Sequence, residues 1–283
     1  MRWKGRRQSE NVEIRRGSTG RRVAAGGGLL GIVAAVVILL LGGDPGELVR
    51  NLQAPQSTSA ESARPLSAEE KELAEFVSVV LADTEDVWHN IFQSQGMTYR
   101  EARLVIFSGA TESACGFAQA AVGPFYCPSD ETVYIDLAFL AAMQRKLGAR
   151  GDFAWAYIVA HEIGHHVQNQ LGVLGKVHAR KQQVGRLESN RLTVRLELQA
   201  DFLAGVWAHH AQRMKNILEE GDIEEGMNAA SSVGDDNVMK RTQGYVVPDA
   251  FTHGTSEQRL RWFTLGYRTG DVSRGDTFAV EKL

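Results

Sequence analysis

The chain has 283 residues, 43% hydrophobic and 23% charged, enough for one sizeable core or one core with appendages. Its net charge of −3 is unevenly spread: residues 1–22 carry eight Arg or Lys against Glu10 and Glu13, leaving 23 basic and 32 acidic residues elsewhere. An acidic body argues against nucleic acid as its ligand, and two cysteines with eleven residues between them do not make a Cys-x-x-Cys zinc pair.

Residues 1–22 therefore read as a basic arm. Val23 to Gly43 follows as 21 residues without a charge, enough as a helix to span a bilayer core of roughly 30 Å. A cleaved signal peptide would have a shorter apolar region and an Ala-x-Ala-like site, and Leu41-Gly-Gly-Asp-Pro45 offers none. The sequence predicts an uncleaved transmembrane anchor. Its arginine-rich flank is expected in the cytoplasm and the rest of the chain beyond the membrane. Gly27 and Gly31 form a Gly-x-x-x-Gly that can pack two anchors, or are simply part of a glycine-rich run. On the exported side Cys115 and Cys127 read as a disulfide, worth about 3 kcal/mol in the chain-entropy picture. Residues 44–66, rich in Gly, Pro, Ser, Gln and Ala, read as a flexible linker to a domain over 67–283.

Ser67-Ala-Glu-Glu70 is a capping box opening a helix with Leu73, Phe76, Val77 and Val80 at helical spacing. A second helical segment is predicted from a cap near Asp83 to Gly96. Ala102–Phe107 and Thr132–Asp136 have strand composition, and Pro124 between them implies an edge strand or an irregular rim. Phe153–Gln170 is the next helix, with Gly151-Asp152 as its N-cap and Gly172 as its stop. A connection or short helix over 172–185 leads to a long proline-free helix from Ser189 to about Glu219. Shorter helices are predicted near Ile223–Val233 and Asp236–Thr242. A last one runs from the capping box Thr255-Ser-Glu-Gln258 to Gly270. The fold class is α+β, helix-dominated, with a small sheet.

Within Phe153–Gln170 lies His161-Glu162-Ile163-Gly164-His165. Histidines at i and i+4 share a helix face and can reach one ion from successive turns. Glu162 sits about 100° round the helix, placed as general base for a metal-activated water. A chance pair of surface histidines is the bland alternative. Trp155, Tyr157, Ile158, Val159, Ala160, Ile163 and Val167 speak against it, because they make the helix buried and its polar groups in need of partners.

A catalytic zinc needs a third protein ligand. In the extended motif H-E-x-x-H-x-x-G-x-x-H the positions concerned hold Gln168 and Leu171, which excludes that class. Glu197-Leu-Gln-Ala-Asp201 instead places two carboxylates on one face of the long helix, among Leu196, Leu198, Phe202 and Leu203. Glu197 is the expected ligand. Asp201 is expected to accept the free ring N–H of a ligand histidine, with the swapped assignment left open. Candidate donors to a developing oxyanion are His253, Arg259, Tyr126 and Tyr134; His253 reads equally as a turn residue before a capped helix. His166 points away from His165 and reads as packing or support, His209-His210 as the wet end of the long helix, and His89 and His178 as ordinary.

The combination of His161-Glu-x-x-His165 with Glu197-x-x-x-Asp201 resembles the glutamate-zincin metallopeptidases. More closely it resembles the bacterial family called putative neutral zinc metallopeptidases. Asn11–Gly17, Ala114-Cys-Gly116, Gly123–Pro128, Val133–Asp136, the His161–Gly172 run, Glu197–Gly205 and His253–Arg259 carry the likeness along nearly the whole chain. The resemblance implies a zincin-like fold, one catalytic zinc ion and hydrolysis of peptide or protein substrates. The sequence thus predicts a zinc endopeptidase tethered to the bacterial inner membrane by one N-terminal helix, N-terminus inside and catalytic domain outside. A zinc-bearing binding or chaperone-like domain without hydrolysis is the alternative, and the oligomeric state is left open.

Overall fold

The computed structural model describes residues 1–16, 66–119, 123–136, 139 and 151–283. The predicted transmembrane segment 23–43, residues 17–22 of the basic arm and the linker up to residue 65 lie outside them. Among the described residues no helix is long and apolar enough to cross a membrane. The chain forms two compact units, Met1–Ser9 with Val77–Glu101 and Arg150–Leu283, and Glu10–Phe76 with Ala102–Ala149.

The second unit is built on strands β1 (Val12–Arg16), β2 (Arg103–Ser108), β3 (Ala110–Ser113), β4 (Gly116–Gln119), β5 (Phe125–Cys127) and β6 (Thr132–Asp136). Four of them make a sheet of order β1-β2-β6-β5, parallel except for the β5–β6 pair; β3 and β4 form a separate antiparallel hairpin. The continuous apolar run Leu104–Phe107 is wholly buried, as expected of an internal parallel strand. β5, just after Pro124, is an edge strand. Cys115 and Cys127 are disulfide-bonded, and Cys127 packs with Val105, Phe107 and Tyr134.

Residues 1–16, the described part of the predicted basic arm, are folded. Val12–Arg16 pairs residue by residue with Leu104–Ser108, and Glu13 answers both Arg15 (2.7 Å) and Arg103 (3.0 Å). In the first unit Trp3 is buried, Arg6 meets Asp83 at 2.6 Å, and Arg7 meets Glu85 at 3.1 Å and Asp86 at 2.7 Å. The cluster of arginines is thus matched by acids far along the chain, which local charge counting does not register.

Helix α1 (Ala68–Ser94) opens with the predicted reciprocal capping box between Ser67 and Glu70. It continues unbroken past Asp83, where a second cap was expected. Asp83 is buried in mid-helix because Arg6 and Lys215 (2.8 Å) neutralise it, so it has no need of a helix end. The rest of the first unit is helical: α2 (Asp152–Gln170), α3 (Val173–Lys181), α4 (Arg186–Lys215), α5 (Asp222–Ser232), α6 (Asp235–Gln243) and α7 (Ser256–Thr269), with 3-10 turns at Pro248–Ala250 and Val272–Arg274. α4 ends at left-handed Asn216, short of the expected Glu219. Asp152 does not cap α2; it is the first helical residue, and its carboxylate accepts the Trp3 indole N–H at 3.2 Å.

α4 is the axis of this unit, packed against α2 on one flank and α7 on another. Gly205 of α4 and Gly266 of α7 face each other's backbones so closely that a Cβ on either would overlap main-chain atoms. His209 and His210, expected at a wet end, donate a ring N–H to the Tyr267 and Gly270 carbonyls, both at 2.8 Å, and tie α4 to the end of α7.

Candidate metal centre

His161 and His165 lie on successive turns of α2, Glu197 and Asp201 on successive turns of α4. The helices touch where Gly164 meets Ala200: a Cβ at residue 164 would stand 3.0 Å from the Ala200 carbonyl oxygen and 3.1 Å from its Cα. The glycine inside the motif therefore sets how near the acids come to the imidazoles. The Glu197 carboxylate reaches both rings, Oε2 at 3.2 Å from His161 Nε2 and Oε1 at 3.6 Å from His165 Nε2. One ligand atom from each of the three residues lies within 4.8 Å of the others. Tetrahedral ligands about 2.0–2.1 Å from zinc stand about 3.3 Å apart, so two nitrogens and a carboxylate so placed fit that ion.

The other nitrogen of each ring is held. His161 Nδ1 faces Asp201 Oδ1 at 2.9 Å, and His165 Nδ1 faces Gln168 Oε1 at 2.9 Å. Gln168 is buried, and its amide nitrogen donates to the Leu196 carbonyl (2.8 Å) and to Gln199 Oε1 (3.0 Å), which fixes its oxygen toward His165. Both Nδ1 atoms thus point at acceptors; with a cation between the helices they would carry the proton, and both Nε2 lone pairs would face the ion.

Asp201 is wholly buried and over-determined. Arg259 donates Nε to its Oδ2 at 2.8 Å and Nη2 to its Oδ1 at 2.9 Å; the Tyr157 hydroxyl donates to Oδ1 at 2.5 Å and itself accepts from Arg259 Nη2 at 3.0 Å. Arg259, a candidate oxyanion donor in sequence, has its fork committed to Asp201 and is 3% exposed. Tyr134, another candidate, belongs to the second unit and donates to Asp130 at 2.8 Å; Tyr126 also lies in that unit.

These contacts set the charges. Burial alone would lower the His161 pKa, but the Asp201 carboxylate and Glu197 push it up to about 10. Burial pushes Asp201 up, yet Arg259 and His161 bring it down to about 2. Burial likewise opposes ionisation of Glu197, while His165 and His161 hold it far below the usual carboxylate range. Glu162 is buried, makes no protein hydrogen bond among the described residues, and is raised by desolvation against the pull of the two histidines.

His253 lies close enough to Glu197 for their charges to couple. It sits in a loop gathered by Asp235, whose Oδ2 accepts the backbone N–H groups of Thr252 (2.7 Å), His253 (2.6 Å) and Gly254 (3.0 Å). Asp235 Oδ1 holds His253 Nδ1 at 3.1 Å, and the ring is partly exposed. The capping box at Thr255–Gln258 then starts α7, and one turn later Arg259 points inward. Of the remaining histidines, His166 is buried between Tyr99, the Arg100 carbonyl and Gln170, while His89 is exposed beside Glu101 and His178 is exposed.

Residues 1–278 match the family described as "putative neutral zinc metallopeptidase". The chain belongs to this family. It is 47% identical over 284 residues to the uncharacterized protein YpfJ of Escherichia coli (strain K12), covering 98% of this chain and 99% of that one. It is 43% identical over 195 residues to the uncharacterized protein Rv2575 of Mycobacterium tuberculosis (strain ATCC 25618 / H37Rv), 65% of each chain. No solved structure matches. In this member of the family, sequence reading missed Gln168, Tyr157 and Asp235. Gln168 alone had a local signal, being three residues beyond His165 and so on its face of the helix; the other two depend on contacts distant in the chain.

Proposed function

We propose that the chain is a zinc-dependent peptidase with a zincin-like first unit, in which His161, His165 and Glu197 hold the ion. The observation that carries this is the meeting of three ligand atoms within 4.8 Å while the far nitrogen of each imidazole rests on its own acceptor. Zinc, when bound, supplies a Lewis acid that lowers the pKa of water toward about 7 and polarises a carbonyl. Glu162 is the general base: a buried carboxylate next to the ligands with no hydrogen-bond partner among the described residues, its pKa raised, takes a proton from water and returns it to the leaving amine. His253, its Nδ1 held by Asp235, offers Nε2 to the developing oxyanion. Asp201 keeps His161 in one tautomer, and Arg259 with Tyr157 keeps Asp201 in place.

A zinc-bearing binding domain would need the three ligands but not Glu162, whose burial without a partner costs stability and does nothing for metal binding. The apolar stretch 23–43 attaches the protein to a membrane in this reading, and the Cys115–Cys127 disulfide favours a body outside the reducing cytoplasm. Because β1 pairs with β2, residues 12–16 share that side. The test is an unbiased peptide library offered to the zinc-loaded full chain and to Glu162→Gln: cleavage by wild type alone supports the proposal, and equal cleavage by both refutes it.

A further inference from the structure

Lys181 ends α3, and its half-buried ammonium donates to Thr193 Oγ1 at 2.7 Å; Thr193 also donates to the Ser189 carbonyl at 3.0 Å. Among the described residues no carboxylate lies within 4.0 Å of it, and burial pulls its pKa down against the pull of one acid, Glu197. Thr193 and Glu197 are four apart on α4, on one face and about one turn apart. Helical side chains lean toward the N-terminus, so the Glu197 carboxylate extends back over the turn that starts at Thr193. The ammonium therefore stands roughly one helical turn from the metal ligands.

A second cation beside a dication is repelled unless an anion sits between them. The other cations around the centre have theirs: Arg259 has Asp201, and His253 has Asp235. Among the described residues Lys181 has no carboxylate within 4.0 Å, only the Thr193 hydroxyl, and Glu197, the acid whose charge reaches it, is already engaged by His161 and His165. We propose that Lys181 is a specificity residue that receives a carboxylate of the peptide substrate. An extended peptide advances about 3.3 Å per residue, so that carboxylate belongs one or two residues from the scissile bond. It comes either from the free C-terminus or from an Asp or Glu side chain. The inference rests on the peptidase reading for its location.

The test reads binding, so it does not depend on turnover. Zinc-loaded full chain carrying Glu162→Gln is titrated with three fluorescent peptides: a neutral one amidated at its C-terminus, the same with a free C-terminus, and the amidated one with an internal Asp. One of the two carboxylate-bearing peptides is expected to bind about tenfold or more tightly than the neutral amide, as a charge-assisted hydrogen bond should provide. Which one does so identifies the source. Lys181→Met should abolish the preference with no loss of melting temperature, and Lys181→Arg should restore it. Indifference of wild type to the carboxylate, or an unchanged preference in Lys181→Met, overturns the proposal. Glu162-dependent cleavage without any Lys181 effect would leave the peptidase and remove this site. Lys181-dependent binding with no cleavage of any peptide would do the reverse.

Discussion

Replacing Asp201 by Asn changes one heavy atom and should be costly. The carboxylate takes four hydrogen bonds, two from Arg259 and one each from Tyr157 and His161, and is wholly buried. An asparagine keeps one acceptor oxygen and turns an N–H₂ group toward donors, leaving the Arg259 guanidinium buried without a counter-ion. Breaking a buried pair in this way costs about 3–5 kcal/mol, and for a chain of this size each kcal/mol is roughly 2–4 °C in melting temperature. The chelator-treated Asp201→Asn protein should therefore melt about 10 °C lower than wild type. Its zinc affinity, measured by competition with a chromophoric chelator, should fall about 10- to 100-fold, because His161 loses the acceptor that fixes its tautomer. Tyr157→Phe removes one donor and should cost only about 0.5–1.5 kcal/mol. An Asp201→Asn protein that melts within a degree of wild type and holds zinc as tightly would refute the claim that Asp201 positions the ligand.

Gly164→Val should separate α2 from α4, since even a Cβ there sits 3.0 Å from the Ala200 oxygen; a loss of about 1–3 kcal/mol and weakened zinc binding are expected, and unchanged zinc affinity would contradict the role given to this glycine. In excess chelator the folded-state pKa of His161, about 10, lies above its ordinary 6.5. Its stabilising contribution is then complete below about pH 6.5 and lost as pH rises through about 10, so thermal scans should show falling stability over that window. With zinc bound the dependence should reverse toward neutral pH, because the ion competes with the proton; parallel pH profiles would count against His161 as a ligand. Single cysteines in a Cys115→Ser/Cys127→Ser background, placed at the exposed positions Glu13 and Arg103, should react with a membrane-impermeant thiol reagent from the same side, since β1 and β2 pair. Labelling from opposite sides would mean that β1 does not pair as described.

Much of the helical structure was readable because its signals are local. The i,i+4 spacings of His161/His165 and Glu197/Asp201, the capping boxes at Ser67 and Thr255, and the left-handed glycines at 172 (φ 72°) and 270 (φ 61°) all act within a turn or two of helix. What escaped was whatever a distant partner decides. Asp83 looks like a cap until Arg6 and Lys215 are seen beside it, and Arg259 looks like a free donor until Asp201 claims its fork. β1 was hidden by its arginines, which suggest a membrane flank, although Val12 and Ile14 alternate with Glu13 and Arg15 as in a strand. The β3–β4 hairpin has too few apolar residues to show a period, and its register comes from main-chain pairing of Ala110 through Ser113 with Gln119 through Gly116.

The claim on which the rest depends is that one ion is shared by His161, His165 and Glu197. Anomalous diffraction at the zinc edge, from crystals of the zinc-loaded protein, tests it most directly. The account predicts a single strong peak about 2.0–2.2 Å from His161 Nε2, His165 Nε2 and a Glu197 carboxylate oxygen. A peak bonded to other side chains, or a fully loaded protein with no peak between α2 and α4, would contradict it.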